Sequence, residues 1–318
     1  MKKIFLIGSE RSGTNLLRAL LGNHSAISAP PPIHLCDLLY HRKHLWNINE
    51  TTHLHKLVEQ LNQYVNHEFS NWDLSIDAKQ FIEKYSPTSI LDLFNGIYSE
   101  KATADGKSAY FCKDNHIQKY ACGIRNRFSD AKFIYIYRDP RDQAASWMKN
   151  TFFIRTPYAA ARKWVVDQHE CLALPSFYGI EVLPVKYEDL ITSPDAVMSN
   201  LLISLDLNVD SACFQTTGNN KEADNYKLWE NINKPIMRTN KKKYLSVLSQ
   251  QDIKIVETVC RDHMDELGYA MDTTANYDFG NMYIWRLRDF VKGRLKKRSG
   301  DIKVISNRNK FISDVFSK

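Results

Sequence analysis

Residues 8–17 read Gly-Ser-Glu-Arg-Ser-Gly-Thr-Asn-Leu-Leu. Gly8, Ser12, Gly13, Thr14 and Asn15 form a small hydroxyl-rich loop directly ahead of an apolar helical pattern. Loop amides that open a helix bind phosphate, because the donors and the positive end of the helix dipole converge there. An ATP loop would end in Gly-Lys-Ser/Thr, with the lysine on the terminal phosphates and the hydroxyl on magnesium. Here Thr14 follows Gly13 directly, and the cation, Arg11, comes two residues before that glycine. A second candidate anion site lies at Arg138-Asp139-Pro140, after the apolar run KFIYIY, with Ser146 eight residues beyond the arginine. That run ends in an arginine and not in a magnesium-binding carboxylate, so a metal-bound triphosphate is disfavoured.

Both stretches need strands and helices to position them. Lys3 to Gly8 is continuously apolar, as in a strand buried on both faces of a parallel sheet, and Leu16, Leu17, Leu20 and Leu21 then line one face of a helix. Lys132 to Tyr137 repeats the pattern. Asp139 can cap the helix that follows, and Pro140 fits its first position, which places Arg138 at the carboxyl end of the strand. Further strands are expected at Ala109–Cys112 and Glu181–Lys186, and helices at Pro194–Leu205 and Gln251–Leu267. The alternation predicts an α/β fold, a P-loop-like parallel sheet flanked by helices. Residues 30–106 carry no strong strand but many His, Asn and aromatic residues. They read as a helical insertion that shapes a substrate pocket or as a plain helical cap, and Pro30 to Pro32 make its start extended.

Composition narrows the classes. A chain of 318 residues with 43% apolar residues suits one large domain, here 1–272, with an extension over 273–318. The net charge of +7 is uneven: from Arg286 onward there are 11 Lys/Arg against 3 Asp/Glu, leaving 32 basic against 33 acidic residues for the rest. Basicity belongs to the tail, and a nucleic-acid partner is not expected. The six cysteines show no C-x-x-C pair, so they read as reduced, mostly buried thiols and no metal site is expected. The apolar run Ile4–Ile7 is too short for a signal-peptide core, and no stretch approaches the ~20 apolar residues of a membrane span. A cytoplasmic protein is expected.

With these residues in place, the sequence resembles the sulfotransferases that use 3′-phosphoadenosine 5′-phosphosulfate (PAPS), most closely the protein-tyrosine and bacterial carbohydrate branches. Their 5′-phosphosulfate loop, R/K-S-G-T-x-x-L, is matched by Arg11-Ser12-Gly13-Thr14-Asn15-Leu16-Leu17. The family's second signature, a strand-ending arginine with a serine eight residues on, is matched by Arg138 and Ser146, which by resemblance grip the 3′-phosphate. Tyr187 in Tyr187-Glu188-Asp189-Leu190 matches a segment that lies near the adenine. The resemblance covers roughly residues 3 to 269 and implies transfer of a sulfuryl group to a hydroxyl without a metal. Arg11 and Lys113 would neutralise charge building on the leaving 5′-phosphate.

The general base is less determinate. The tyrosine-sulfating branch carries a glutamate where this chain has Pro32, and the cytosolic branch a histidine where it has Asn115. His34 is the first candidate, His116 the second and Asp37 the third. A shorter basic clamp over the 3′-phosphate is expected from Asn240-Lys241-Lys242-Lys243, with Lys241 and Lys243 as its cations. A carbohydrate or glycolipid acceptor suits the polar insertion. In the tail, Tyr283, Ile284, Leu287, Val291 and Leu295 recur at helical spacing among Arg286, Arg288, Lys292, Lys296 and Lys297. Peripheral contact with an anionic membrane is one reading, and a helix packed on the body is the other. A P-loop small-molecule kinase and a non-catalytic membrane or nucleic-acid binding protein are the alternative classes.

Overall fold

The computed structural model describes residues 1–68, 70–150, 154–216, 233–274, 276–295 and 302–316. Five strands, β1 (Lys2–Gly8), β2 (Ile27–Ser28), β3 (Ala109–Cys112), β4 (Lys132–Tyr137) and β5 (Val182–Lys186), form one parallel sheet in the order β2-β3-β1-β4-β5. Helix α1 (Thr14–Gly22) follows β1. Four helices, α2 (Leu35–Arg42), α3 (Thr51–Asn66), α4 (Ala78–Tyr85) and α5 (Ile90–Ala104), fill the insertion before β3, and α6 (Ala121–Arg127) precedes β4. Helices α7 (Pro140–Asn150) and α8 (Pro157–Tyr178) separate β4 from β5. Beyond β5 come α9 (Tyr187–Thr192), α10 (Pro194–Ser204), α11 (Tyr244–Val247), α12 (Gln250–Glu266), α13 (Met282–Leu295) and α14 (Ile302–Phe316).

Side chains that alternate along a strand feed two cores. Ile4 and Leu6, with Phe111, Ile134 and Ile136, pack on Leu17, Leu20 and Leu21 of α1 and on Met198, Leu201 and Leu202 of α10. Phe5 and Ile7, with Tyr110, Cys112, Phe133 and Tyr135, face the insertion instead, against Leu38, Leu57, Phe94, Ile97 and Tyr98. The insertion is thus a full layer of the fold. Each such apolar side chain taken out of water contributes about 1.5–3 kcal/mol, so 30–106 is as integral as the sheet it covers. Its start is fixed by one carboxylate: Asp114, next to the end of β3, accepts the amides of Ile33, His34 and Leu35 at 2.9, 2.8 and 2.7 Å.

Helix α8 was not expected from the sequence, because its apolar and polar residues form no clean stripe. Its ends are nevertheless marked. Thr156 caps the Ala159 amide at 3.2 Å, Pro157 opens the first turn, and Gly179 closes it at φ 61°. The extension splits in two. α14 folds back on the insertion, with Ile312 and Phe316 buried and the Gln60 side chain donating to the Val315 carbonyl at 2.6 Å. α13 rests on the start of α8. The expected tail residues Lys296 and Lys297, and the side chain of Leu295, lie outside the described residues.

Candidate active site

In this strand order β3 and β4 flank β1, and the crevice outside their carboxyl ends is where open parallel sheets bind ligands. Three neighbouring strand ends therefore deliver Lys113, the 8–13 loop and Arg138, and β5 delivers Tyr187. The loop's glycines are required by close approach. A Cβ on Gly8 would stand 2.3 Å from the Ile136 carbonyl oxygen, and one on Gly13 would stand 2.3 Å from the Tyr187 ring. Ser9 ties the loop to α8 through a 2.7 Å hydrogen bond to Asp167.

Gly13, at φ 92°, heads α1 without a side-chain cap, and no acidic residue occupies the first turn. The amides there are left for a ligand, at the positive end of the helix. Arg11 donates from Nε to Ser146 Oγ at 3.1 Å, which joins the loop to α7. Arg138 lies with its guanidinium 4.3 Å above the Tyr187 ring and donates to the carbonyls of Arg11 and Asn240, each at 3.2 Å. Among the described residues, Arg138 Nε and Ser12 Oγ have no hydrogen-bond partner although both are buried. Such orphans are costly unless something fills them, and Arg138 lines a cleft. Burial lowers the Arg11 pKa, and the neighbouring Arg138 charge adds to it, against the opposing pull of Glu10. Gathered cations of this kind suit an anionic ligand.

The cleft brings together Arg11, Gly13, Thr14, Asn15, Leu16, Arg138, Ser146 and Tyr187. Ser12, His34, Lys113, His116, Lys241 and Lys243 do not line it. Lys241 reaches Thr192 Oγ1 at 3.2 Å on the surface, and Lys243 is exposed at the start of α11. Lys234, Pro235, Ile236, Met237 and Asn240 line the rest of the cleft. Asn240 donates to the Tyr187 hydroxyl at 2.6 Å, and Asp142 of α7 pins the following turn by accepting the Lys242 and Tyr244 amides at 2.7 and 3.0 Å. Sequence reading missed Asp142, whose only local signal was an acid in the first turn of α7.

The acceptor candidates meet on the insertion side. Lys113 is 8% exposed, and burial, helped by Arg18 and Arg11, lowers its pKa to about 8. Its ammonium donates to Asn115 Oδ1 at 3.2 Å, and the Asn115 amide donates to the Glu10 carboxylate, a residue the sequence analysis passed over. His116 and Asp37 pair at 3.3 Å, and Tyr120 donates to the same carboxylate at 2.6 Å. Burial alone would raise the Asp37 pKa, but these hydrogen bonds outweigh it and hold the group below the usual range. Burial, then the charges of Arg308 and Lys113, push the His34 imidazole well below its ordinary 6.5. Arg308 reaches this wall from α14, donating to the Ile33 carbonyl and to the Tyr64 hydroxyl at 3.0 Å each. Arg11, His34 and His116 all adopt left-handed backbone, at φ 67°, 56° and 64°. Non-glycine residues held there cost about 1–3 kcal/mol each, which surrounding packing must over-determine.

Comparison with known proteins agrees with this geometry. The sulfotransferase domain of the Synechococcus PCC 7002 olefin synthase superposes with a TM-score of 0.53 at 21% identity, over 80% of this chain and 93% of that one. The sulfotransferase domain of the curacin biosynthetic pathway gives 0.53 at 20%, over 85% and 98%. These likenesses show a shared fold. No curated protein matches the chain by sequence. The model of the sulfotransferase family matches residues 3–211 of the 318, a span that holds the loop, Lys113, Arg138, Ser146 and Tyr187, and the chain therefore belongs to that family of transferases, whose members generally use PAPS.

Proposed function

We propose that this enzyme transfers a sulfuryl group from PAPS to the hydroxyl of a carbohydrate or glycolipid, giving a sulfate ester and adenosine 3′,5′-bisphosphate. The observation that carries the donor assignment is the pair of anion sites on adjacent strand ends: the uncapped α1 amides with Arg11, and Arg138 with an unpartnered buried Nε beside Ser146. PAPS carries phosphate at two positions and supplies an activated sulfuryl group between its 5′-phosphate and the acceptor. The loop amides and Arg11 hold the 5′ end, Arg138 and Ser146 the 3′-phosphate. Lys113, cationic at neutral pH, faces charge on the departing phosphate. His34 takes the hydroxyl proton. Its desolvation keeps it neutral, the form a base requires, and Asp37 with His116 stands in its electrostatic neighbourhood. The polar residues of the insertion wall support a sugar acceptor better than a flat phenol.

Thermal unfolding with adenosine 3′,5′-bisphosphate, ADP and ATP-magnesium side by side tests the donor site. Saturation at 100 times Kd adds ~2.7 kcal/mol, a shift of several degrees. Stabilisation by the bisphosphate is expected; stabilisation by ATP-magnesium alone would overturn the assignment of the two anion sites. For the base, His34→Ala is expected to abolish turnover while leaving bisphosphate affinity intact. Undiminished turnover removes it from the mechanism and leaves His116 to be tested in the same way.

A further inference from the structure

Helix α13 inverts the usual arrangement of a surface helix. At about 100° per residue, Tyr283, Ile284, Leu287, Phe290 and Val291 fall within one arc of about 120°. All five are exposed, between 47% and 84%. The helix is held to the body by its other side. Trp285 packs edge-on against Tyr158 and Phe279, each at 4.7 Å, and Asp289 accepts from Thr156 Oγ1 at 2.8 Å. In α14, by contrast, Ile312 and Phe316 are buried against the insertion. The apolar arc of α13 therefore points away from the protein, and a contiguous exposed patch of this kind marks an interaction surface.

Charge identifies the partner. Arg286 borders the arc on one side and donates to the Tyr158 hydroxyl at 3.0 Å, Arg288 and Lys292 border it on the other, and Arg294, within the arc, lies over the Phe290 ring at 4.4 Å. All four are exposed, and the helix's one acid, Asp289, is turned toward Thr156. An apolar strip edged by cations matches a bilayer surface, where acyl chains lie below anionic headgroups. A symmetric dimer through the same face would set these four cations against their own copies, which opposes self-association. We infer that α13 is a membrane-docking helix that lies in the surface of a bilayer containing anionic lipid. The inference does not depend on the donor or acceptor assigned above.

Co-sedimentation of the full chain with phosphatidylcholine vesicles, with and without phosphatidylglycerol, tests it. The chain is expected to bind only the anionic vesicles, and more weakly as salt is raised. Leu287→Asp with Phe290→Asp should lower vesicle affinity by at least about tenfold, and Arg288→Glu with Lys292→Glu should weaken it as well. Both variants should keep the unfolding midpoint of the parent, since all four side chains are exposed. Failure of the parent to bind either vesicle, or unchanged binding by the Asp pair, overturns the inference. So does a parent dimer that ignores vesicles and is split by Leu287→Asp, which would assign the face to a second copy of the chain.

Discussion

The two sides of the proposed site, one for the donor and one for the acceptor, are built differently. The donor side is assembled from strand ends and one helix start, and its cations hang from backbone that the sheet already fixes. The acceptor side is assembled from an inserted wall and from α14, and its histidines depend on side chains contributed from far along the chain. Arg11 and Arg138 meet because β1 and β4 are hydrogen-bonded neighbours. His34, His116 and Asp37 meet because Asp114 and the insertion core hold α2 against the end of β3. A scaffold that needs no partner gives a donor site that a short motif can announce, whereas a wall built from several segments leaves its chemistry unannounced.

That contrast can be broken by experiment. Lys113 is linked through Asn115 to Glu10 of the loop, and Lys113→Met is expected to lower kcat by about 100- to 1,000-fold, the range seen when a pre-placed charge stabiliser is lost. Because its pKa is about 8, the required cation is present below that pH and is lost as pH rises through it. The kcat/KM profile for PAPS in the parent should therefore fall above about pH 8, and Lys113→Arg should move the fall to higher pH. Next in size, Arg138→Ala should weaken bisphosphate binding by roughly 10- to 150-fold, from the ~1.5–3 kcal/mol of a charge-assisted contact, with acceptor KM little changed. On the acceptor side, Asp114→Asn should lower stability by ~1–3 kcal/mol and raise acceptor KM while bisphosphate affinity holds. A matching loss of donor affinity would show that the two sides are not separable. Smallest of all, Lys241→Ala should change bisphosphate affinity by less than about twofold, since its ammonium engages Thr192 on the surface.

Legibility follows the same division. The three central strands, β1, β3 and β4, were readable because a strand covered on both faces is apolar throughout, as in KFIYIY. Strand β2 has two residues, too few for any pattern. Arg11 to Leu16 could be read together because they are contiguous and a helix begins among them. The rest of the cleft could not, since Asn240 reaches Tyr187 only through the turn that Asp142 pins, and a run of lysines shows charge but not direction. The C-terminal basic stretch gave no sign that Arg308 would reach the Ile33 carbonyl, because that contact exists only once α14 lies on α3. Glu10 was passed over because its neighbours in the motif drew attention, while its partner Asn115 lies at the end of another strand.

Consecutive residues at the end of β3 do different things: the Lys113 ammonium donates to Asn115, and Asp114 clasps three amides at the start of the insertion. The clasp involves main-chain groups of Ile33, His34 and Leu35, so it places no demand on the side chains that follow. One carboxylate thus fixes, through backbone alone, where a whole layer of the fold leaves the sheet.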